Sequence, residues 1–159
     1  MPATIDKATG LPMVPLWING VPVSSAEAGS FPVYSAAQKK NVYMAQSADV
    51  KLASAAAESA EAAFRDWKTT SAASRRDIIN RMNELLIARK KELVTVQMEE
   101  TSCSQSWAEY NIQYTRLTLA EIAARVTTAC AGELPAMSTE GPIGFVFKEA
   151  IGPVLLIAP

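Results

Sequence analysis

The chain has 159 residues, 49% hydrophobic and 19% charged, a balance that excludes an intrinsically disordered polypeptide. Its 15 Lys and Arg face 16 Asp and Glu, and the formal charge of -1 is too small a field for a general nucleic-acid binder. There is no histidine and there are two cysteines, Cys103 and Cys130, which excludes a Ser-His-Asp triad, a Cys-His pair and a His-containing or Cys₄ zinc site.

At about 150 residues per domain, the length predicts one domain with a sizeable core. Two cysteines do not make a secreted disulfide scaffold, so a reducing compartment is expected. The longest wholly apolar stretch, Pro153 to Pro159, is too short to span a bilayer. The opening MPATIDKATGLP lacks a signal-peptide core and an Arg-rich transit pattern, which predicts a cytoplasmic protein.

Residues 1–15 hold Pro2, Gly10, Pro12 and Pro15 and read as a flexible arm. Asn19-Gly20 between apolar flanks predicts a hairpin of Leu16–Ile18 and Val21–Val23. Phe31–Tyr34 and Asn41–Gln46 read as further extended pieces. Ser47 is the expected cap of an Ala-faced helix with Asp49 in its first turn and Phe64 and Trp67 as core anchors. Ser71 is the expected cap of a second helix, with an apolar stripe from Ile78 through Leu86 to Leu93 and a candidate break near Arg89–Lys91. Its cations, from Arg75 to Lys91, read as a solvated face rather than a phosphate site.

Thr101–Ser106 reads as a turn, followed by a third long helix over about Gln105–Thr128. Ile112, Leu119, Ile122, Ala123 and Val126 line one face of it, and Trp107, Tyr110, Tyr114 and Leu117 line another. Two apolar faces predict burial between layers. Ala131-Gly132 is the expected stop. Phe145–Phe147 and Val154–Ala158 are the expected last strands. A continuous apolar strand belongs inside a parallel sheet, covered on both faces, and no later residues supply that cover.

No complete active site follows from these residues. Cys103 lies near Glu99, Glu100 and Glu109, whose charge disfavours a thiolate, and Cys130 falls at the wrong end of a helix dipole for one. Glu99 and Glu100 are adjacent in a helix and point about 100° apart, so they do not converge. Neither a GxGxxG nor a GxxxxGK loop is present.

Several segments together resemble one family. LWINGVPV resembles the opening hairpin of the NAD(P)-dependent aldehyde dehydrogenases, and AEAAFRDWKTTSAASRR is similar to their Ala-rich helix, Trp, short loop and Arg-led helix. MEETS with WAEYNI, and EIAARVTTACAGELP with KEAIGPVLLIAP, resemble the branch acting on aromatic aldehydes such as salicylaldehyde and vanillin. The resemblance runs from about Leu16 to Pro159 and implies an incomplete α/β fold. Its parts are a β-hairpin, three long helices, an oligomerisation-arm strand near residues 145–149 and the first strand of a Rossmann-like domain at Val154–Ala158.

It further implies that the family's nucleophilic Cys, Glu base and oxyanion-holding Asn lie past Pro159, so no catalytic residue is assigned in this chain. Ile157, Ala158 and Pro159 are the positions expected to border the cofactor, NAD or NADP. Ser102 departs from the pattern, which has Gly after the Glu-Thr pair, where a positive φ is expected. The expected function is that of an aldehyde-oxidising oxidoreductase whose N-terminal portion is inactive alone. The alternative is a non-catalytic module pairing with a full-length dehydrogenase subunit or with the missing C-terminal part, with no nucleic acid, metal or membrane as partner.

Overall fold

The computed structural model describes residues 4–136, 141 and 143–158. Pro159 lies outside the described residues. Six strands precede four helices: β1 (Thr4–Ile5), β2 (Pro12–Val14), β3 (Leu16–Ile18), β4 (Val21–Val23), β5 (Ser30–Ser35), β6 (Lys40–Gln46), α1 (Val50–Trp67), α2 (Ala72–Ala88), α3 (Lys90–Thr101) and α4 (Gln105–Ala129).

β3 and β4 form the predicted hairpin, with Leu16 opposite Val23. Its turn needs left-handed backbone at both central residues, and Asn19 (φ 52) and Gly20 (φ 73) supply it. A second sheet has the order β1-β2-β6-β5, with β2 parallel to β6 and β5 antiparallel to it. The stretch expected to be a loose arm therefore carries two short strands. Asp6 makes this possible, since its carboxylate accepts from the Thr9 N–H at 2.8 Å and closes the turn that folds β1 onto β2.

Asp49, not Ser47, caps α1, with Oδ1 accepting from the Leu52 N–H at 2.8 Å. β6 runs on to Gln46, so the helix starts later than the first candidate cap. Ser71 caps α2 as expected, accepting from the Ser74 N–H at 3.1 Å. The helix breaks at Arg89 (φ -104, ψ 12), so the second expected helix is two, α2 and α3. No Gly or Pro marks the break. Ser104 caps α4, accepting from the Trp107 N–H at 3.3 Å.

Small side chains set the core. Ala108 is fully buried and Ala123 nearly so, and they let α4 lie close against α2 and α3. Val94 and Met44 complete the buried apolar set. Gln46 is buried too, and its amide holds the 25–29 loop through Ser25 N–H (3.1 Å), Ser25 O (2.8 Å) and Gly29 O (2.6 Å). Trp67, expected in the core, is instead 46% exposed.

The two expected C-terminal strands are corrected. Val146 forms one isolated bridge with Glu133, and Phe145 and Phe147 flank it outside any strand. That bridge needs Gly132, since a Cβ there would lie 2.6 Å from the Val146 carbonyl oxygen. Val154–Ala158 pairs with nothing among the described residues, and Val154 to Ile157 are 74–85% exposed. A strand requires a ladder partner, and none of β1 to β6 reaches this run.

Candidate functional site

The candidate nucleophiles are not assembled into a site. Cys103 sits in the turn between α3 and α4, half-buried, its Sγ 4.0 Å from the Gln97 carbonyl oxygen. Cys130 is the exposed C-cap of α4, and Arg75 Nη1 donates to its Sγ at 3.7 Å. Among the described residues, neither thiol hydrogen-bonds a carboxylate that could act as its base.

The acidic pair separates as its spacing requires. Glu99 accepts a short hydrogen bond from the Tyr43 hydroxyl, whereas Glu100 is exposed. That bond, with burial and the Glu99 charge behind it, pushes the Tyr43 phenol up to about 12. The Tyr43–Glu99 bond therefore ties β6 to α3.

Three of the six basic residues from Arg75 to Lys91 pair with carboxylates in their own turns, Arg76 with Asp77 among them. Arg81 pairs with Glu84 at 2.9 Å, and Arg89 pairs with Glu92 at 2.6 Å. The Arg89 hydrogen bond holds the Glu92 carboxyl below its ordinary range. These i,i+3 pairs are exposed and present no free phosphate clamp. Arg75 differs. Its Nη2 donates to the Trp67 and Lys68 carbonyls at 3.1 and 3.2 Å, and its guanidinium lies 5.6 Å from the Trp67 ring centre. It caps the C-terminus of α1 from the first turn of α2. No local sequence signal marks this role, because the contact spans a loop.

Ser102 adopts the left-handed conformation anticipated for it (φ 58, ψ 24). Its N–H closes α3 on the Met98 carbonyl at 3.0 Å, and its Oγ accepts from the Ala37 N–H at 2.8 Å. The hydroxyl thus joins the β5–β6 turn to the end of α3.

Among the concavities of the described residues, two border candidate segments. One of about 810 Å³ lies between the β5–β6 turn, α3 and the start of α4, floored by Val94 and Met98. Another of about 590 Å³ lies between Phe64 and Trp67 on α1 and Gly152–Val154. Among the described residues no three His, Cys, Asp or Glu side chains are placed to hold a metal. Among the described residues, no helix is long and apolar enough to cross a membrane.

What the chain presents instead is uncovered apolar surface. Its accessible area is 12074 Å², whereas a compact monomer of 17.1 kDa is expected to show about 7,800 Å². Exposed large apolar side chains include those on the outer face of α4, Ile78, Met82 and Leu85 of α2, and Ile151 and Val154 to Ile157.

Residues 23–159 match the profile of the aldehyde dehydrogenase family. The chain belongs to the aldehyde dehydrogenase family. It is 31% identical over 146 residues to a vanillin dehydrogenase of Pseudomonas sp., a match covering 92% of this chain and 30% of that protein. It superposes on the crystal structure of a salicylaldehyde dehydrogenase from Pseudomonas putida G7 with a TM-score of 0.81 at 22% identity, covering 89% of this chain and 29% of that one. It also superposes on an NAD-dependent benzaldehyde dehydrogenase from Corynebacterium glutamicum with a TM-score of 0.73 at 25% identity, covering 82% and 28%. The chain thus spans about 30% of the length of the curated relatives it matches. The fold is that of the N-terminal part of an aldehyde dehydrogenase, a mixed α/β arrangement of small sheets and four helices.

Proposed function

We propose that this chain is the N-terminal scaffold of an NAD(P)-dependent aldehyde dehydrogenase that oxidises an aromatic aldehyde to its acid, and that alone it does not turn over. The family match over residues 23–159 carries the reading. The relatives named for vanillin, salicylaldehyde and benzaldehyde support the substrate class.

Inactivity of the isolated chain follows from the groups present. Thioester chemistry needs an activated thiolate and a preorganised oxyanion site. Cys103 and Cys130 have no base beside them, and they stand 27 residues apart on opposite ends of α4. The described residues do not fit a dinucleotide by themselves. Ile157 and Ala158 are exposed, and no glycine-rich phosphate motif occurs in the sequence. Ile157, Ala158 and Pro159 are proposed to border the cofactor only when further dehydrogenase segments complete the site.

The test incubates the purified chain with NAD⁺ or NADP⁺ and vanillin, salicylaldehyde or benzaldehyde, and follows NAD(P)H absorbance. The expected rate equals the protein-free blank. Turnover near ordinary enzyme rates, roughly 1–10³ per second, would refute inactivity.

A second reading is a module that pairs with a full-length dehydrogenase. The unpaired run Val154–Ile157 favours it, since strand addition would satisfy its backbone. Pull-down of purified full-length salicylaldehyde dehydrogenase, lost on Leu155→Pro, is the expected result of that reading.

A further inference from the structure

We draw no further inference here: the strongest candidate, the cavity of about 810 Å³ between the β5–β6 turn, α3 and the start of α4, lined by Lys90, Lys91, Glu99 and Glu109 around Val94 and Met98, carries nothing, because the chain spans about 30% of its relatives' length and nothing in the structure shows what covers that cavity.

Discussion

Replacing Ser102 separates two opposed contributions at one residue. Its left-handed backbone (φ 58) costs a residue with a Cβ roughly 1–2 kcal/mol. Its Oγ accepts from the Ala37 N–H at 2.8 Å, a bond worth about 0.5–1.5 kcal/mol net. Ser102→Gly removes both and should leave stability within about 0.5 kcal/mol of the parent, since the relief offsets the lost bond. Ser102→Ala keeps the backbone cost and loses the bond, so it should be about 1 kcal/mol less stable than the parent and than the Gly variant. Ser102→Val adds β-branching in the same conformation and should fall lowest. Urea unfolding followed by circular dichroism reads the series. With a slope of about 1–3 kcal/mol per molar, 1 kcal/mol moves the midpoint by roughly 0.3–1 M. Equal midpoints for Ala and Gly would refute the backbone argument. An Ala variant equal to the parent would refute the bond to Ala37.

Gln46→Leu should cost about 2–3 kcal/mol and release the 25–29 loop, because Ser25 and Gly29 lose their amide partner. The check is a lower urea midpoint together with faster amide exchange in that loop. The Tyr43–Glu99 bond predicts a loss of stability in alkali. The folded phenol titrates near about 12 against a reference of 10.0, so its contribution is whole below pH 10 and is lost as pH rises toward 12. Tyr43→Phe should therefore be less stable at neutral pH and show a shallower fall above pH 10, measured as urea midpoint against pH.

Local chemistry was legible in the sequence, and contacts across loops were not. The Asn19-Gly20 turn, the Ser71 cap and the left-handed Ser102 depend on a few neighbouring residues, and each is found as read. The cap of α1 slipped from Ser47 to Asp49 because the length of β6, set by its ladder with β5, decides where the helix starts. β1 and β2 were missed because their proline-rich stretch gains order from pairing with β6, a remote partner. The two faces of α4 were read from periodicity, yet only one is packed. Periodicity records that a face is apolar and not what covers it. Val154–Ala158 carries a strand's composition without a strand's partner, for the same reason. At the candidate site, the exclusion of histidine chemistry needed only the composition, whereas Tyr43–Glu99 and Arg75 joined residues too distant in sequence for any motif to link.

Arg75 makes α1 a lever. The helix buries no residue along its length, and its far end is held by the Asp49 cap and the strand before it. Its near end is clamped where one guanidinium gathers the Trp67 and Lys68 carbonyls, the Trp67 ring and the Cys130 thiol. Eighteen residues at 1.5 Å each give an arm of about 27 Å. A tilt of about 5° at the clamp would displace Val50 by roughly 2 Å, three residues from the end of β6 at Gln46. A change at the α2–α4 end that tilted α1 would therefore move its Val50 end further than its Trp67 end.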